Sequence, residues 1–141
     1  MSQTQIYKAH LLDHFKKPRN KASHDLLGMQ VVKRGSNPRC GDDIEIGFNI
    51  SANSIEAILF RGRGCAVCIA SASMMTEAVH GQSIDDAKRI ALSVAQWIEG
   101  EHAEVPALLK PVDAVRHHPA RKKCLMLAWN ALLEGLEVSA S

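Results

Sequence analysis

A chain of 141 residues is one domain's worth, long enough to bury a core without disulfide staples. Hydrophobic residues at 46% and charged residues at 23% are ordinary for a globular protein in water, and a formal charge of +2 makes no case for nucleic acid or an anionic membrane as partner. The opening "MSQTQIYKAH" lacks the apolar core of a signal peptide, and the longest weakly charged run, "CAVCIASASMM", is too short and serine-rich to span a bilayer. A cytoplasmic protein with reduced cysteines is therefore expected, in which metal binding or sulfur chemistry outranks disulfides.

Tyr7, Leu11 and Phe15 recur at helical spacing, and Pro18 ends the first helix. "GMQVV" predicts a short strand ahead of a turn running from Gly35 to Gly41. Ile44, Ile46, Phe48 and Ile50 then alternate through "DIEIGFNI", the period of a half-buried strand, and "SANS" turns the chain into "IEAILF" to close a hairpin. After "RGRG", the segment "CAVCIASASMMTEAVHG" predicts a helix of small side chains that can lie close to the sheet, with Gly81 as its stop. Ser83 and Asp86 resemble a capping box opening "IDDAKRIALSVAQWIEG", which Gly100 closes. Residues 101–118 read as a loop holding one short helix, and Pro119 starts a last helix, "ARKKCLMLAWNALLEGLE". Strands first and helices after give an α+β fold.

The cysteines fall at places where chemistry is favoured. Cys40 lies on the turn "NPRCGDD" between two strands, and Cys65 ends a glycine-rich stretch where a helix begins, so backbone amides and a helix dipole favour thiolates there. Cys124 sits about one turn into the last helix. Asp42, two residues after Cys40, can share a tetrahedral zinc site with the three thiols, at about 2.3 Å to sulfur and 2.0 to 2.2 Å to oxygen. Gly41 lets the backbone bend between the two ligands. The competing readings are buried small hydrophobes for the cysteines and a turn-capping side chain for Asp42. Arg39, then Arg61 and Arg63, then Arg121, Lys122 and Lys123 precede the three thiols, a clustering that favours an anionic centre. Cys68 forms a C-x-x-C with Cys65. As a fourth ligand in place of Asp42 it would make a closed Cys₄ site, though sites of that kind usually carry two such pairs. His80 suits a helix C-terminus, and His117 and His118 read as exposed loop residues.

These motifs resemble the NifU N-terminal/IscU superfamily, and within it the SufU branch. "DHFKKPRN" is similar to the family's first-helix ending, "NPRCGDD" to its first-ligand loop, "GRGCAVCIASASMMTE" to its second-ligand helix and "PARKKCLMLAW" to its last-ligand helix. Lys123 stands where IscU proteins carry histidine, and "KPVDAVRHHPARKKC" lacks their "LPPVK" segment, which favours SufU. The resemblance implies one NifU N-terminal/IscU-like domain over residues 1–141, with a three-stranded antiparallel sheet covered by helices. It implies Cys40, Asp42, Cys65 and Cys124 as metal ligands, and it matches Arg121 to the arginine before the last ligand.

The function implied is iron–sulfur cluster assembly, in which a zinc-dependent sulfurtransferase accepts persulfide sulfur from a SufS-type cysteine desulfurase and passes it to downstream assembly partners or apo-proteins. Cys40 is the expected acceptor, since a turn residue can swing out where a helix-borne Cys124 cannot. Arg121 is expected to hold Asp42 when a partner residue takes over at zinc, which frees Cys40. Two other readings use the same ligands: a scaffold carrying iron or a [2Fe–2S] cluster, and a zinc-stabilised, non-catalytic adaptor of the desulfurase.

Overall fold

The computed structural model describes residues 2–140. The elements run α1 (Gln3–Lys16), β1 (Val31–Asn37), β2 (Asp42–Ser51), β3 (Ser54–Arg63), α2 (Ala66–Val79), α3 (Ile84–Ile98) and α4 (Pro119–Ala140), with single 3₁₀ segments at Pro38–Cys40 and Ala107–Ala114. The strands form an antiparallel sheet in the order β1-β2-β3. Helices α2 and α4 pack on its inner face, α1 lies against α2, and α3 lies against α4. The fold is α+β, with a three-stranded sheet covered by helices.

The period-two pattern decides what faces inward. Ile44, Ile46 and Phe48 are buried under the helices, and Asp42 has the same parity and is 1% exposed. Asp43 and Glu45 take the other face, where Arg34 Nε donates to Asp43 at 2.7 Å and Arg61 Nε donates to Glu45 at 2.8 Å. Further along that outer face, Leu26 and Met29 cover Gly47. The hairpin turn uses Ala52 and Asn53 with φ of 51° and 63°.

Small side chains let the helices approach. Ser71 Oγ of α2 donates to the Leu125 carbonyl of α4 at 2.7 Å, and Ser73 Oγ lies 2.8 Å from His14 Nδ1 of α1. Gly135 sets α4 against β1 and β2: a Cβ there would fall 2.8 Å from Phe48 Cε1 and 3.0 Å from Val31 Cγ1. Overpacking a closed core costs about 1–3 kcal/mol, against a few tenths regained in helix propensity. Gly135→Val should therefore lower unfolding stability by about 2 kcal/mol, read as a shift of the urea midpoint at unchanged slope.

Two features differ from the sequence reading. The first strand does not stop before Gly35 but runs through it to Asn37, with Gly35 opposite Ile44. That glycine serves close approach rather than a turn, since a Cβ would sit 3.0 Å from Leu127 Cγ of α4. The third strand likewise continues through Arg63, so Arg61 and Arg63 are paired strand residues.

Candidate metal centre

All four proposed ligand positions lie at one end of the sheet. Cys40 closes the 3₁₀ turn joining β1 to β2, which Gly41 ends at φ +70°, in the left-handed region. Asp42 begins β2, Cys65 is the N-cap of α2 immediately after β3, and Cys124 stands in the second turn of α4. One ligand atom from each of Cys40, Asp42 and Cys124 lies within 4.8 Å of the others. Sulfurs bound tetrahedrally to one zinc are ~3.8 Å apart, a contraction within reach of side-chain rotation.

Asp42 is tied to Cys65 directly, because the Cys65 amide donates to Asp42 Oδ1 at 2.8 Å. The other carboxylate oxygen, Oδ2, is buried and has no hydrogen-bond partner among the described residues. Leaving such an atom unpaired costs about 1–3 kcal/mol, so a buried acceptor facing two thiols calls for a cation. Gly64 preserves the space around it: a Cβ there would lie 2.8 Å from Asp42 Oδ1 and 3.2 Å from Cys68 Sγ. Sulfur with a single carboxylate oxygen suits zinc or iron and is a poor match for magnesium or calcium. The structure thus groups three of the four expected ligands, with Cys65 outside the group and joined to it through its amide. These donors are of the kind that fits the metal the motifs imply.

Burial raises the Cys124 thiol above the usual cysteine range, and the Asp42 carboxylate, Cys40 and Cys65 crowding it act in the same direction. Burial likewise pushes the Cys68 thiol up to about 12, with the charges of Asp42, Cys65 and Cys40 adding to it. Cys40 is the exposed member of the four cysteines, Cys65 is half-buried, and Cys68 and Cys124 are buried.

The remaining expected residues divide. Arg121 is one turn before Cys124 and exposed, and among the described residues its guanidinium has no hydrogen-bond or ion-pair partner. Arg61 and Arg34 are neutralised on the outer face by Glu45 and Asp43, and Lys122 lies 3.7 Å from Glu99. With Arg63 opposite Asp43 on that same outer face, the cations left flanking the thiols are Arg39, Arg121 and Lys123. His117 and His118 are exposed, and His117 Nε2 is 3.6 Å from Asp113. Two further residues belong to the site without carrying a ligand motif. Asn37 is buried opposite Asp42 and lies 3.9 Å from Cys124 Sγ, and Gly64 keeps the pocket open. Their signals were the asparagine heading "NPRC" and the glycine directly before Cys65.

Beside the site is a hollow of about 620 Å³ lined by Asn37, Arg39, Lys123, Leu127 and Asn130, among others. Among the described residues, no helix is long and apolar enough to cross a membrane.

The profile described as "NifU-like N terminal domain" matches residues 6–138. The chain is 34% identical over 134 residues to "Zinc-dependent sulfurtransferase SufU" of Bacillus subtilis, covering 93% of this chain and 89% of that one. It is 38% identical over 141 residues to "Iron-sulfur cluster assembly scaffold protein IscU" of Streptococcus pyogenes, covering 96% and 86%. Its fold is similar to the crystal structure of a Fervidobacterium islandicum protein assigned as a cluster assembly scaffold of the SUF system. That match has a TM-score of 0.78 at 26% identity, over 96% of this chain and 99% of that one.

Proposed function

We propose that this chain, which belongs to the NifU-like N-terminal domain family, serves iron–sulfur cluster assembly by accepting persulfide sulfur on Cys40 beside a zinc ion held by Cys40, Asp42, Cys65 and Cys124. The observation carrying this reading is the contrast within the site. Cys40 is exposed on a three-residue turn, while Asp42 and Cys124 beside it are buried.

Zinc, when bound, keeps its thiolate ligands deprotonated at neutral pH. The chain's own residues do the rest. The Cys40 thiolate attacks the outer sulfur of a persulfide on a SufS-type cysteine desulfurase, the donor's S–S bond breaks, and the donor's cysteine leaves as thiolate. The step is redox-neutral and leaves the persulfide on Cys40. The hollow flanked by Arg39 and Lys123 gives a partner loop a route to that turn and favours an anionic sulfur there. Arg121, without an ion-pair partner among the described residues and on the helix that carries Cys124, is a positioning residue for the Asp42 carboxylate as Cys40 moves out.

A second reading rests on the scaffold names carried by the Streptococcus and Fervidobacterium relatives: the same donors can ligate a [2Fe–2S] cluster. Purification without oxygen separates the two. One zinc per chain and no visible absorption are expected; iron, sulfide and charge-transfer bands would favour the scaffold. Desulfurase turnover in the same preparation should rise on adding the chain. Arg121→Ala should bind zinc normally yet stimulate turnover poorly, with Arg121→Lys restoring only part, since lysine lacks the planar fork that matches a carboxylate. Full turnover in Arg121→Ala would reduce this residue to a solvated helix charge.

A further inference from the structure

Cys65 added to the grouped Cys40, Asp42 and Cys124 makes four donors, and Cys68 is a further sulfur beside them. Cys65 caps α2 and Cys68 is its third residue, so the two lie one turn apart on the same face. Helical side chains lean toward the N-terminus, which directs Cys68 back at the site rather than along the helix. Its Sγ reaches the same point above Gly64 as Asp42 Oδ1: a Cβ on Gly64 would meet the two at 3.2 Å and 2.8 Å. Cys68 is fully buried, and among the described residues its thiol has no hydrogen-bond partner. Asp42, 1% exposed with Oδ2 unpartnered among the described residues, marks the pocket as built for a cation.

Resting on the metal reading above, we propose that Cys68 is a reserve ligand, which takes the coordination position Cys40 gives up when that thiol leaves to accept sulfur. The placement sets a core-buried cysteine at the point where the apolar core meets the Asp42 carboxylate. Cys40 is the ligand free to depart, being exposed on a turn, while Cys68 is buried on α2. One thiolate replaces another, so the buried centre keeps its charge. Cys68 gives up a proton as it binds and the donor's departing thiolate accepts one, so the exchange changes no oxidation state. The replacement ligand in this exchange comes from this chain, in place of the partner residue that the sequence reading expects to take over at zinc.

Cobalt(II) in place of zinc tests this without any activity measurement, because the intensity of its thiolate charge-transfer band counts the bound sulfurs. Wild type and Cys68→Ser should each show three thiolates. Cys40→Ser should also show three, with Cys68 drawn in, and Cys40→Ser/Cys68→Ser should fall to two. Cys40→Ser/Cys68→Ala repeats that count with no hydroxyl in the buried pocket, in case serine there impairs folding. Two thiolates in Cys40→Ser alone would overturn the reserve role, and so would a loss in Cys68→Ser, which would make Cys68 a resident ligand. A wild-type protein without thiolate-bound cobalt would instead defeat the underlying metal reading, so the two failures are told apart.

Discussion

Cys40→Ser is expected to bring desulfurase turnover down to the rate of the desulfurase alone. A serine hydroxyl is not ionised at neutral pH and is a poor nucleophile toward a persulfide sulfur, so the acceptor step has no substitute. The fold should be untouched. Cys40 is exposed and adds nothing to the core, so the metal-free variant should unfold within about 0.5 kcal/mol of the metal-free wild type. Mass spectrometry after incubation with desulfurase and free cysteine should place the added sulfur on the wild-type peptide containing Cys40 and find none in the variant. A persulfide found only on Cys124 would reverse the assignment. Cys124 is fully buried on a packed helix, so reaching a donor there would need α4 to move.

Gly64→Ala should remove metal binding while leaving the chain folded. The added Cβ would arrive 2.8 Å from Asp42 Oδ1 and 3.2 Å from both Cβ and Sγ of Cys68. The carboxylate is the part able to yield, being the end of a side chain, and it would be pushed off the Cys65 amide that now orients it. Gly64 does not lie in the left-handed region, so alanine can follow the backbone unstrained. Stability should therefore fall by no more than about 1–3 kcal/mol, the range for overpacking. Zinc stoichiometry should drop well below one per chain, with far-UV circular dichroism unchanged. Full zinc at wild-type affinity would show that Asp42 does not need its observed position to bind.

Much of the architecture was legible from local pattern, because hydrophobic periodicity and caps are properties of neighbouring residues. The alternation of Ile44, Ile46 and Phe48 gives β2, and carried back two residues it turns Asp42 inward and Asp43 outward. Ser83 accepts the Asp86 amide at the start of α3 as its spacing implies, and Pro119 begins α4. The residue types of the site and their places at element ends were readable in the same way.

Tertiary packing alone decided the rest. Whether Gly35 turns the chain or lets a helix approach depends on Leu127, far along the sequence, and no local signal reports that contact. The arginines before Cys65 suggested a cationic surround for the thiols, but strand pairing turns Arg61 to the opposite face and matches it with Glu45. The sequence alone determined which atoms could bind a metal. Only the folded chain leaves Asp42 Oδ2 buried and without a partner among the described residues, and sets Cys68 against the pocket that Gly64 keeps open. Burial and juxtaposition arise from long-range closure, in which the desolvation of one group depends on residues supplied by other elements.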